Sequence, residues 1–140
     1  MWLVELFKKL KKGFDFPDGA EVCQRLSFLE QYGFKVEVYY SGKMCNIKYL
    51  KAGLLIEYYE FYQFREFCVT VHQSSNKSDQ FNSIRKYEYG FFHRNVLPLM
   101  KTLFNKKKFS NLDLVEFYIR NQIENGDSVF GINKDEFINS

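Results

Sequence analysis

From Phe34 onward the chain alternates apolar and polar residues with a period of two, and on either side of that stretch apolar residues recur at helical spacing. Phe34, Val36, Val38 and Tyr40 point one way and Lys35, Glu37 and Tyr39 the other, as in a half-buried strand. Ser41-Gly42-Lys43 makes a turn, after which Cys45, Ile47 and Tyr49 share a face opposite Met44, Asn46 and Lys48. Beyond Lys51-Ala52-Gly53, Leu54, Ile56 and Tyr58 alternate with Leu55, Glu57 and Tyr59. Past a turn near residues 60–63, Phe67, Val69 and Val71 alternate with Cys68, Thr70 and His72. Connections this short join antiparallel neighbours, so the region predicts a four-stranded antiparallel meander with one face packed and the other partly wet.

Helical spacing frames this meander. Trp2, Leu3, Leu6, Phe7 and Leu10 form a stripe with lysines largely opposite, and Gly13 stands where such a helix would stop. A second helix is punctuated by Asp18 as N-cap, Glu21 three residues on and Gly33 as terminator, with Val22, Cys23, Leu26, Phe28 and Leu29 on its buried face and Phe34 folding back on its last turn. Residues 73–79 read as a polar loop, and a short helix over Asp79–Lys86 is the one element the next stretch offers. Val96, Leu97, Met100, Leu103 and Phe104 restore the helical period, with Pro98 placed in a first turn behind an Asn95 cap. Ser110 caps a longer helix whose stripe is Val115, Tyr118, Ile119 and Ile123, Phe109 stapling against Leu114 and Gly126 ending it. Phe130, Ile132 and Phe137 are too apolar for a free tail and are expected to pack back. The predicted class is α+β: a four-stranded antiparallel meander packed with N-terminal and C-terminal helices, one domain over residues 1–140.

Composition narrows the function classes. A chain of 140 residues with 46% hydrophobic content is about one domain and excludes the disordered class, and no apolar run approaches the ~20 residues of a membrane-spanning helix. The N-terminal apolar stretch is short, contains Glu5 and lacks a small-residue cleavage site, which predicts a cytoplasmic protein. Cys23, Cys45 and Cys68 are scattered and odd in number, so reduced, buried thiols are expected rather than a disulfide framework or a metal site. The net charge of +3 is polarised: Lys8, Lys9, Lys11 and Lys12 oppose only Glu5, Lys106 to Lys108 form a second cluster, and the tail after Glu124 is acidic. The basic first helix over residues 1–12 has two readings, a stripe docked on the domain or an amphipathic helix on an anionic membrane surface.

Candidate chemistry is sparse. His72 and Cys68 share a strand face, but four residues of strand hold them about 13 Å apart, too far for a nucleophile and its base. His93 stands alone beside Arg94, and pairs such as Glu57 with Glu60 or Asp135 with Glu136 have no companion that suggests a metal or glycosidic site. There is no Walker lysine loop, dinucleotide glycine turn or paired Cys-His spacing. The expectation is a non-enzymatic protein with no cofactor. Glu37, Glu57 and Glu66 interleave with the aromatics and Lys48, which speaks against a nucleic-acid partner.

The run Leu26-Ser27-Phe28-Leu29-Glu30-Gln31-Tyr32-Gly33-Phe34, followed by Ile47-Lys48-Tyr49, Leu54-Leu55-Ile56-Glu57-Tyr58-Tyr59 and Phe67-Cys68-Val69-Thr70-Val71, resembles a loose group of small bacterial proteins in which a helix closing on Tyr-Gly-Phe leads into an antiparallel meander. Some of these resemble immunity proteins of contact-dependent and polymorphic toxin systems. The resemblance covers residues 20–73 and implies a stoichiometric protein-binding module that neutralises a cognate toxin. The basic charge departs from the acidic character common among inhibitors of nucleic-acid-cleaving toxins. The expected partner-binding residues are Tyr39, Lys48, Glu57, Tyr59 and Arg65, large or charged side chains on the outer side of the meander. The alternative is a peripheral membrane protein using residues 1–12.

Overall fold

The structure is a computed structural model that describes residues 19–41, 43–61, 66–74, 83–106 and 108–139. The basic first helix, the Asp18 cap and Arg65 lie outside the described residues. The described chain falls into two compact units that meet in sequence between Lys86 and Tyr87.

The first unit is built on a five-stranded antiparallel meander, β1 (Lys35–Ser41), β2 (Met44–Lys51), β3 (Leu54–Phe61), β4 (Glu66–Gln73) and β5 (Ser83–Glu88), arranged in that order. The expected four strands are present with the expected facing. Val38 stands opposite Ile47, Ile47 opposite Tyr58 and Tyr58 opposite Val69, so the period-two residues line up across four strands on one packed face. Cys45, Ile47, Tyr49, Leu54, Ile56, Tyr58, Phe67, Val69 and Val71 are buried there, with Tyr58 and Phe67 edge to face at 5.5 Å. Two expectations are corrected. The meander has a fifth strand, whose first four residues fall in the stretch read as a helix over Asp79–Lys86, residues 79–82 lying outside the described residues: in Ser-Ile-Arg-Lys-Tyr-Glu the apolar residues are too few to separate the two periods.

The helix preceding the sheet is also corrected, from one continuous helix to two pieces. Helix α1 (Gly19–Arg25) breaks at Leu26, and Ser27–Tyr32 continues as a 3₁₀ helix. The Ser27 hydroxyl donates to the Gln24 carbonyl at 2.8 Å, the local competition by which serine loosens an α-helix. Gly33 ends the segment at φ 92°, a left-handed conformation that favours glycine. Val22, Cys23, Leu26 and Leu29 are buried, as is Phe34 just beyond. Lys51, at the end of β2, donates to the Tyr32 carbonyl at 3.0 Å and lies 4.6 Å above the Phe34 ring, fastening the helical segment to the sheet.

The second unit is helical. Helices α2 (Tyr89–Asn95) and α3 (Leu97–Leu103) are separated at Val96, because Pro98 carries no N–H to bond back one turn. Val96, not Asn95, holds the cap position of α3, and the Asn95 amide instead donates to the Phe91 carbonyl. Helix α4 (Asn111–Asn125) begins as expected at Ser110, in a reciprocal capping box: the Asp113 N–H donates to Ser110 Oγ at 3.1 Å and the Ser110 N–H to Asp113 Oδ2 at 2.8 Å. Phe130, Ile132 and Phe137 pack back fully, through a hairpin of β6 (Ser128–Val129) and β7 (Ile132–Asn133) and a closing helix α5 (Lys134–Asn139) capped by Asn133. The hairpin turn holds Phe130 at φ 52° and Gly131 at φ 79°, the positive pair of a type I′ turn. A phenylalanine there is costly. It is held by complete burial among Phe92, Tyr118 and Tyr87, whose rings lie 4.7–6.4 Å away, and by its N–H, which donates to the Tyr118 hydroxyl at 3.0 Å.

Candidate functional site

The face of the meander opposite the packed one carries the residues expected to bind a partner. Pairing aligns them in rows across the strands: Tyr39, Asn46, Tyr59 and Cys68 in one, Glu37, Lys48, Glu57 and Thr70 in the next, then Leu50, Leu55 and His72. Tyr39, Lys48, Glu57 and Tyr59 therefore form one contiguous group on β1, β2 and β3. Accessibility differs sharply within it. Tyr39, on the edge strand, is 60% exposed, whereas Lys48, Glu57 and Tyr59 are half-buried.

At the centre of this face a single carboxylate ties three strands together. Glu57 Oε2 accepts from the Asn46 amide of β2 at 2.9 Å, and Glu57 Oε1 lies 3.0 Å from His72 Nε2 of β4. The side chains of His72 and Glu57 are only 15% and 19% exposed, and their Nε2–Oε1 approach is a close contact rather than a hydrogen bond. Asn46 is buried. Residue-by-residue reading missed this network because Glu57 and His72 are diagonal neighbours, two positions apart in the β3–β4 register, a relation visible only once both strands are aligned. The outer aromatic row is different in character: Tyr59 stacks on Phe61 at 6.2 Å, and its hydroxyl pKa is raised by desolvation and by the neighbouring Glu66 carboxylate and Cys68 thiol.

Chemically the face offers a positioned imidazole–carboxylate pair and aromatic surface at one edge. Cys68 aligns with Tyr59 and His72 with Leu55, four register positions apart on one regular strand, as expected from their spacing. Glu57 and Glu60 point to opposite faces, and the Glu60 carboxylate accepts from the Tyr58 hydroxyl. Among the described residues no group of three or more His, Cys, Asp and Glu side chains is arranged to hold a metal ion. Under the packed face, burial and the nearby Glu30 carboxylate push the Cys23 thiol up to about 12, and burial likewise raises the Tyr49 hydroxyl well above its ordinary value. These groups stay protonated and unreactive in the folded chain.

The second unit holds a cleft of about 240 Å³ between its helices, lined by Phe91, Val96, Leu99 and Phe117 with Asn95 and Asn121 at its polar side. Beside it α3 leaves Leu99, Leu103 and Phe104 exposed. The helical period had placed Leu103 and Phe104 with the core residues Val96 and Met100. In the structure only the latter two are buried. No family model matches the chain, and no curated protein or solved structure matches it either. No helix among the described residues is long and apolar enough to cross a membrane.

Proposed function

We propose that the chain is a non-enzymatic, cytoplasmic protein-binding module that receives its partner on the polar face of the meander, with neutralisation of a cognate bacterial toxin as the concrete case. The observation that carries this reading is the clustering of Tyr39, Lys48, Glu57 and Tyr59 on one face, with Tyr39 projecting at its edge. Aromatic anchors beside a sheltered polar network match the composition of protein interfaces, where a few large residues carry most of the affinity. Binding is favoured over catalysis because the His72 imidazole and the Glu57 carboxylate are turned toward each other and toward Asn46. The Glu57 carboxylate is engaged within the sheet by the Asn46 amide. The toxin case rests on the resemblance of residues 20–73 to a loose group of small bacterial proteins, some of which resemble immunity proteins.

Affinity capture of the tagged chain with the product of its neighbouring gene tests the proposal, followed by titration of the purified pair. A stoichiometric complex whose Kd rises about tenfold or more on Tyr39→Ala, with the partner toxic alone and harmless when co-expressed, is expected. Recovery of no stoichiometric partner, or a complex indifferent to both Tyr39→Ala and Tyr59→Ala, refutes it.

A further inference from the structure

We infer that the end of α3 is a docking site for an anionic membrane surface, built independently of the sheet face. Leu99, Leu103 and Phe104 are 41%, 60% and 47% exposed, and they are three of the five large apolar side chains exposed among the described residues. Leu99 and Leu103 stand one helical turn apart on the same side of α3, and Phe104 follows where the backbone leaves the helix in an extended conformation. Water is a poor solvent for such a group, and a concentrated apolar patch on an otherwise polar surface marks an interaction site.

The charge around the patch identifies the partner. From Tyr89 to Leu112 the chain carries Arg94, Lys101, Lys106, Lys107 and Lys108 and not one Asp or Glu. Lys101, Lys106 and Lys108 are exposed. The nearest acid in sequence on the far side is Asp113, whose carboxylate lies 3.6 Å from Lys106 Nζ and also closes the α4 cap. Apolar side chains flanked by lysines are the composition of surfaces that seat at the boundary of headgroups and acyl chains: the lysines meet anionic headgroups while the leucines and phenylalanine enter the apolar layer. Leu103 and Phe104 come from the helix end, with one side of Phe104 packed edge to face on Phe109 and Phe117, while Leu99 also borders the cleft. A fluid bilayer accepts such a tip, whereas a protein partner would need a cavity shaped to receive it. Neither element alone gives firm attachment, and here both occur within ten residues of chain.

Co-sedimentation of the full chain with vesicles of one quarter phosphatidylserine and three quarters phosphatidylcholine tests this. Binding is expected at low salt, weaker at high salt, and absent on pure phosphatidylcholine, since each lysine near an anionic surface contributes about fivefold. Lys101→Glu with Lys108→Glu should weaken partitioning at least about twentyfold, and Leu103→Gln about tenfold. Both variants change exposed residues, and circular dichroism checks that they remain folded. Removal of residues 1–12 should leave most of the binding in place. Three results would overturn the inference: no sedimentation above the vesicle-free control, equal binding to neutral vesicles, or binding that ignores both variants and disappears with residues 1–12. Capture of an acidic protein by this patch in the absence of any vesicle binding would overturn it as well.

Discussion

Replacing Glu57 tests whether the carboxylate at the centre of the polar face holds the sheet together or waits for a partner. In Glu57→Leu, the Asn46 amide loses its 2.9 Å acceptor and His72 Nε2 its 3.0 Å neighbour. Leaving a buried amide donor without a partner costs roughly 1–3 kcal/mol. Loss of the sheltered imidazole–carboxylate contact adds to this, discounted because both side chains retain some exposure. Against these stands about 1 kcal/mol gained by placing an apolar side chain on a half-buried face without a carboxylate to desolvate. The net expectation is a loss of about 2 kcal/mol for Glu57→Leu. Glu57→Gln keeps an acceptor for Asn46 and gives up only the charge, so about 1 kcal/mol or less is expected. Urea unfolding followed by circular dichroism measures both, with an unchanged m-value as the sign that only stability moved. Combining Glu57→Leu with His72→Leu should recover part of the sum, since the two residues are in contact. If Glu57→Leu is as stable as the wild type or more so, the network is not structural and the reasoning fails. Stability and partner affinity have to be measured separately at this residue, because a partly unfolded sheet would imitate a lost contact.

Three further outcomes follow from the geometry. Tyr118→Phe keeps the ring among Phe91, Phe92 and Phe130 but removes the acceptor of the buried Phe130 N–H, so it should cost about 1–2 kcal/mol in chemical denaturation; an unchanged midpoint would mean the hydroxyl does not support the strained turn. Ser110→Ala removes one half of the α4 capping box and should cost about 1 kcal/mol by the same assay, with Ser110→Thr close to wild type. Stability should fall on the alkaline side: the folded chain holds the Cys23 proton up to about 12 while the unfolded chain releases it near 9.0, so the contribution is complete below pH 9.0 and is lost as pH rises toward 12. That corresponds to about 1.4 kcal/mol per pH unit within the window. Cys23→Ala should flatten the slope, and Tyr49, raised in the same direction, should leave a residue of it.

What was legible in the sequence was whatever local physics fixes unaided. β1 to β4 could be read because alternation and short turns leave one antiparallel arrangement, and once their register is right every side chain on both faces follows. The Ser110 box was legible because its two partners lie three residues apart in the chain. β5 and α2 were not. One is a charged six-residue strand, and the other starts at Tyr89 behind a Glu88 that makes no side-chain cap. The Phe130 turn is invisible locally, since Phe-Gly is a poor type I′ sequence and the conformation is imposed by burial and by Tyr118, twelve residues upstream. The Glu57 network failed to register for a related reason: it joins three strands at once.

In α3 the helical period groups Val96, Leu97, Met100, Leu103 and Phe104, but the structure buries only Val96 and Met100 of these. Periodicity reports which residues share a side of a helix. It carries no information on what covers them. The seven-residue α3, set off from α2 at Val96, brings Val96 and Met100 into cover, while its last residue Leu103 stays mostly exposed and the following Phe104 is half-covered by Phe109 and Phe117. An apolar stripe is a demand for an apolar neighbour. Where the described part of the chain leaves Leu99 and Leu103 exposed, and where the neighbours in sequence are lysines, the lipid surface inferred above would satisfy both the apolar side chains and the charge. The vesicle experiment decides between that neighbour and none.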